Sequence, residues 1–142
     1  MPLNLPARKI LNLEAARIVA AAAEAEALKN GWNVVIAIVD DGGHAILLQR
    51  LDGTQSSSVE TALNKAKAAV GFKRLSGSIE DMINKGRTAF LSAPGEYAFL
   101  QGGVPIEVDG QIVGAVGVSG VKASDDEVIG KAGVEALRAA LA

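Results

Sequence analysis

The spacing of apolar and polar residues changes several times along this chain, and each change marks an element. An alanine-rich run from Leu13 lies between Asn12, a residue able to cap a first helical turn that also carries Glu14, and Asn30-Gly31, a left-handed stop. The pattern predicts a helix over residues 13–29. Residues 33–39 are almost continuously apolar and mostly β-branched, followed by Asp40-Asp41-Gly42-Gly43 and then residues 45–50, which predicts two adjacent strands around a tight turn. Ser57 and Glu60 stand at capping-box spacing before a helix expected over 59–74. Ser78 with Asp81 repeats that spacing for a shorter helix ending near Gly86. Ser124 with Glu127 repeats it before a last helix reaching Leu141, in which Gly130 and Gly133 point to close packing.

Between these helices, Ile106-Glu107-Val108 and Gln111-Ile112-Val113 flank Asp109-Gly110, the dipeptide suited to a two-residue type I′ hairpin. Just before it, Gly102-Gly103 and Pro105 are expected to prevent regular pairing and to leave a loop that bares its backbone to a ligand. Helices outside an antiparallel, hairpin-connected sheet make an α+β fold and disfavour a doubly wound nucleotide-binding sheet. Gly114, Gly117 and Gly120 lack the strand–turn–helix setting of a nucleotide fingerprint and are expected where a helix packs closely. No linker or repeat interrupts residues 1–142, which are read as one domain.

The chain has 142 residues, a formal net charge of -2, no cysteine and a single histidine, His44. Thiolate metal sites and thiol nucleophiles are excluded, a Ser-His-Asp triad would have to use His44, and no multi-histidine metal site fits within one subunit. The acidic group Asp125, Asp126 and Glu127 is expected to complement the dipole of the last helix, and no metal is expected. Without a basic footprint, neither nucleic acid nor an anionic membrane is expected as a partner. The longest apolar stretch, residues 18–23, is too short to span a bilayer, and a soluble cytoplasmic protein is expected.

Four groups of residues now stand out in order: Val39-Asp40-Asp41-Gly42-Gly43-His44; Arg50-Leu51-Asp52-Gly53; residues 101–106; and residues 114–120 with Asp126-Glu127. Together they resemble the GlcG/HbpS family, also described as haem-degrading-domain proteins, over residues 13–142. The resemblance implies a profilin-like α/β/α domain with a central antiparallel sheet, assembly into dimers or larger oligomers, and haem or a related tetrapyrrole as ligand and cofactor in some members. A similar domain forms the C-terminal part of some corrinoid adenosyltransferases.

The candidate site follows from side-chain chemistry. His44 offers an imidazole for axial ligation or for base chemistry near neutral pH, and Tyr97 offers an alternative oxygen ligand; internal bis-histidine ligation is excluded. Arg50 has the planar fork that holds a carboxylate, unless it simply pairs with Asp52 or Glu60. Lys65 is expected to be mostly solvated, with a lesser chance of adding charge to the pocket. Gln101, Gly102, Gly103 and Pro105 are expected to form the ligand-contacting loop, with successive N–H groups aimed at an anion. Two function classes remain open: an oligomeric small-molecule binder or sensor, or a cofactor-free lyase or isomerase in which Asp52 or Glu107 moves a proton beside Arg50. A purely structural oligomer is the third reading.

Overall fold

The computed structural model describes residues 1–142. The elements in chain order are α1 (Leu13–Lys29), β1 (Val35–Asp40), β2 (Ala45–Arg50), α2 (Ser58–Phe72), α3 (Ser76–Asn84), a short 3₁₀ turn (Thr88–Ser92), β3 (Gly103–Val108), β4 (Gln111–Ser119) and α4 (Ala123–Leu141). The sheet is antiparallel throughout, in the order β2-β1-β4-β3. Helix α2 covers one face; α1 and α4 cover the other. This is the expected α+β, three-layer arrangement. β1 sits inside the sheet under helices on both sides, so Val35 to Val39 are all buried and its sequence is an unbroken apolar run rather than an alternation.

Local chemistry explains several boundaries. The Asn12 side chain accepts from the Ala15 N–H at 2.9 Å, capping α1, and Gly31 takes φ +70 just past its end. Asp109 and Gly110 have φ 50 and 77, the pair of positive values a type I′ turn needs, and Val108 pairs directly with Gln111. In the β1–β2 turn the Asp40 carboxylate accepts from the N–H groups of Gly42 and His44, at 2.9 and 3.0 Å, and Gly43 takes φ +82.

Three expectations are corrected. None of the three serines caps its helix: Ser57 is itself helical and accepts no capping bond, Ser78 donates to the Leu75 carbonyl at 2.6 Å, and α4 begins at Ala123, one residue before Ser124. As a result α2 spans 58–72 rather than 59–74, and α3 begins at Ser76 and stops at Asn84. Gly103 and Pro105 do not interrupt pairing, because β3 runs through them as an edge strand, where a proline without an N–H breaks no ladder bond. The Gly103 N–H donates to Ser76 Oγ at 2.7 Å, and Ser76 Oγ in turn donates to the Leu100 carbonyl at 2.5 Å.

Lys65 is not solvated. Its side chain is 3% exposed, and Nζ donates to the Val118 carbonyl at 2.9 Å and to Asp126 at 3.1 Å. Asp126, 2% exposed, accepts from the Val121 N–H with its other oxygen at 3.2 Å. The Lys65 stem passes beside Gly102, where a Cβ would meet the Val118 carbonyl and the lysine chain. Asp126 therefore does more than complement the α4 dipole, as expected from the sequence: it holds the buried cation of α2. Burial raises its pKa above the ordinary 3.8, with Lys65 and the backbone N–H groups pulling it back.

The glycines of β4 and α4 mark close approaches. A Cβ at Gly117 would collide with the Ala62 carbonyl of α2, and one at Gly133 with the Val19 carbonyl of α1, so α2 and α1 lie directly on those backbones.

Gly117→Ala forces β4 and α2 apart and should lower the free energy of unfolding by about 1–3 kcal/mol, read from a urea titration. An unchanged midpoint would mean that the layers yield freely. Lys65→Met strands a buried carboxylate and should cost about 3–5 kcal/mol, whereas Lys65→Met with Asp126→Leu should regain much of it; a double variant no better than the single would disprove the pairing. The raised pKa also sets a sign. The folded state keeps the Asp126 proton over a window where the unfolded chain has lost it, so this group's contribution is complete below 3.8 and disappears as pH rises through the folded value. The stability of the native protein minus that of Asp126→Asn should therefore shrink as pH rises from 3.8 through the raised folded pKa, and a growing difference would reverse the assignment.

Candidate functional site

His44 and Tyr97 lie 53 positions apart in sequence yet face one cleft. Its volume is about 250 Å³, and its walls are the β1–β2 turn (Asp41 to His44), the last turns of α2 (Lys67, Val70, Gly71) and the segment carrying Glu96 and Tyr97. The turn places the histidine. Asp40 pins the backbone on both sides of the two glycines, and the exposed imidazole lies along Gly42, where a Cβ would stand 3.1 Å from Cδ2.

Tyr97 is placed by other aromatic rings. Phe72 meets it edge-on with centroids 5.1 Å apart, Phe99 stacks on it at 5.6 Å, and Phe90 completes the cluster against Phe72 and Phe99. All three phenylalanines and the single tyrosine of the chain therefore belong to this cluster, which fastens residues 88–100 to the end of α2. A backbone bond from Ala98 to Asn64, 3.1 Å, ties the same segment to the middle of that helix. The phenol rests over Gly71, whose missing side chain leaves space at the cleft floor.

Charge in the cleft is balanced and loosely held. Lys67 pairs with Glu96 at 3.3 Å, but Glu96 is 80% exposed, so the pair is worth about 0–1 kcal/mol. Asp41 is bound by Arg8. The Lys67 ammonium can therefore be given up to an anionic guest at little cost, while His44 and Tyr97 supply a nitrogen and an oxygen donor on the same side. This donor set fits one axial side of a haem. The cleft is smaller than the roughly 300–1,000 Å³ of pockets that enclose a ligand, so the fit is to part of the macrocycle.

The other sequence-derived residues lie elsewhere. Arg50 ends β2 opposite Val35, at the far end of the hairpin from His44, about 20 Å away along a six-residue strand. It pairs with neither Asp52 nor Glu60. Gln101 reaches the same end of the sheet on the opposite edge, about 14 Å across three strand spacings, and its N–H donates to Glu80 at 2.8 Å. Gly102 and Gly103 are buried, the Gly103 N–H is taken by Ser76, and a Cβ at either glycine would strike backbone, so they admit Lys65 and α2 and do not form an anion-binding concavity. Pro105 and Glu107 lie on the β3 edge. Glu107 lies nearly the length of the sheet away from Arg50, so of the two alternative proton carriers only Asp52 stays near the guanidinium within one subunit.

Lys67, Gly71 and Glu96 were missed as cleft residues. The helical spacing Lys67, Val70, Gly71 was available as a signal, since i, i+3 and i+4 share one face.

No group of three or more histidine, cysteine, aspartate or glutamate side chains is arranged to hold a metal ion, and no helix is long and apolar enough to cross a membrane.

Comparison with known proteins agrees with this architecture. The family model described as "Haem degrading protein HbpS-like" matches residues 11–135. Protein GlcG of Escherichia coli strain K12 is 46% identical over 110 residues, covering 78% of this chain and 81% of its own. A variant of Streptomyces reticuli HbpS superposes with a TM-score of 0.85 at 30% identity, covering 95% of each chain. PduOC, solved as a complex with heme, superposes with a TM-score of 0.81 at 26% identity over 90% of this chain and 95% of its own. A family match across most of the chain, joined to a relative this similar, means that the chain belongs to the HbpS-like family.

Proposed function

We propose that this protein is a non-catalytic binder of haem or a closely related anionic tetrapyrrole, working as an oligomer, with His44 and Tyr97 facing the ligand. The observation that carries the reading is the convergence of the chain's one imidazole and one phenol on a single cleft beside a loosely paired lysine. Either donor suits an axial position on haem iron. Lys67 is the group to meet a propionate, in place of the Arg50 suggested by sequence. Membership of a family described as haem-degrading, and the likeness to PduOC solved with heme, support the choice of ligand class. The enzymatic alternative, a lyase or isomerase, has less behind it because Glu107 lies far from Arg50 and the Gly102 and Gly103 backbone is packed against α2 instead of being open to an anion, which leaves only Asp52 beside Arg50.

Titration of the purified protein with haemin at neutral pH, followed through the Soret band, should saturate at a fixed ratio of haem to subunit. His44→Ala should shift the band and weaken binding by about tenfold or more, a loss of about 1.4 kcal/mol. Tyr97→Phe separates the two donors: an altered spectrum assigns the phenol as ligand, and an unaltered one assigns the imidazole alone. A featureless, non-saturating titration would reject the proposal.

A further inference from the structure

Residues 1–10 form an arm without helix or strand, and its apolar side chains touch almost nothing. Leu3, Leu5 and Ile10 are 87%, 83% and 76% exposed, and Met1 is fully so. An arm of this kind would ordinarily wander, but its root is fastened. Arg8 pairs with Asp41 in the β1–β2 turn, Lys9 pairs with Asp109 in the β3–β4 turn, and the Lys9 N–H donates to the Gln111 side chain at 3.0 Å. Leu11 is then buried against Gly114. Pro2 and Pro6 restrict the backbone of the free part, which lowers the entropy lost on docking, and Leu3 and Leu5, two residues apart, fall on one side of an extended chain.

A receiving surface adjoins this root. Along the β3 edge a recess of about 470 Å³ is lined half by apolar residues, Leu75, Val104, Pro105, Ile112 and Val134, and half by charged ones. It shares Lys73, Glu107 and Ile112 with the depression that Arg8 and Lys9 line, so recess and root lie on one continuous surface. The residues before Arg8 line neither.

We infer that the arm of one copy docks in this recess of a second copy, and that the exchange is reciprocal. Because root and recess are neighbours, a single twofold axis through that surface places each root beside the other copy's recess, as an isologous contact requires. Seven residues reach about 23 Å, ample for the crossing. Taking about 100 Å² for each of the three large apolar side chains of the free arm, Met1, Leu3 and Leu5, an equal area on the recess and two copies, the exchange buries about 1,200 Å², the lower end of a stable interface. This interface stands whether or not haem is the ligand.

The absence of cysteine makes a direct test clean. Leu5→Cys in one tagged preparation and Val134→Cys in an untagged one, mixed and mildly oxidised, should give a mixed disulfide dimer on a non-reducing gel. No mixed dimer, or a bridge formed only within one chain when both cysteines are placed together, overturns the inference. Sedimentation equilibrium gives a second reading. Leu3→Asp with Leu5→Asp lies outside the folded core and should raise the dimer dissociation constant about a hundredfold with an unchanged circular dichroism spectrum. A variant that assembles as tightly as the native chain, or a native chain that sediments as a monomer, also overturns it.

Discussion

A cation and an anion from opposite faces of the sheet meet where no water reaches. Lys65 starts on α2 and Asp126 on α4, and the two helices are held in register by the contact of their side chains past Gly102. Many features follow from it. Gly102 must lack a side chain for the lysine stem to pass, Val118 must offer its carbonyl to the ammonium, and Val121 must direct its N–H to the carboxylate as the chain turns into α4. A buried pair of this type contributes little net stability compared with apolar packing, because desolvation offsets the attraction. Its effect is on geometry: a displaced register would leave a bare charge in the core, so wrong packings of α2 on the sheet are penalised far more than the right one is rewarded.

The same pair shows what the sequence could convey. Ala62, Lys65, Ala66 and Ala69 follow the i, i+3, i+4, i+7 rhythm of a core-facing helix stripe, so the lysine occupies a position the pattern assigns to the interior. A lysine's usual preference for solvent hid this, and its partner lay 61 positions away with no local link. Features governed by neighbouring residues were legible: the Asp109-Gly110 turn, the Asn12 cap, the Asp40–His44 turn and the buried strand β1. The capping boxes were misread for three local reasons that spacing does not reveal: the Ser78 hydroxyl is taken by the Leu75 carbonyl, Ser57 has helical dihedrals, and α4 starts before Ser124. Gly102-Gly103 was misread for a related reason. Paired glycines suit a loop and a close helix approach equally well, and only the position of α2 decides between them.

Convergence at the candidate site depends on topology rather than motif. The motif residues Arg50, Asp52 and Gln101 lie near the end of the sheet where α2 begins, and His44 lies at the end where α2 stops. Tyr97 belongs with His44 because the three aromatic rings of its segment pack on Phe72, a contact no short-range pattern encodes. A ligand site at the end of α2 is thus made from one strand turn, one helix end and one aromatic clamp, each held by a different kind of force.

The two outer strands leave the sheet with unequal edges. On β3 the Gly103 N–H is spent on Ser76 and Pro105 has none, so the first half of that edge offers no donor to another strand. On β2, the bond from Leu51 to the Val34 carbonyl sets the alternation that turns the N–H groups of Leu48 and Arg50 outward, with no proline in the strand. Unwanted polymerisation of this molecule therefore has a polarity: strand addition finds more free N–H groups at β2 than at β3, and there the exposed guanidinium of Arg50 acts as a charged gatekeeper.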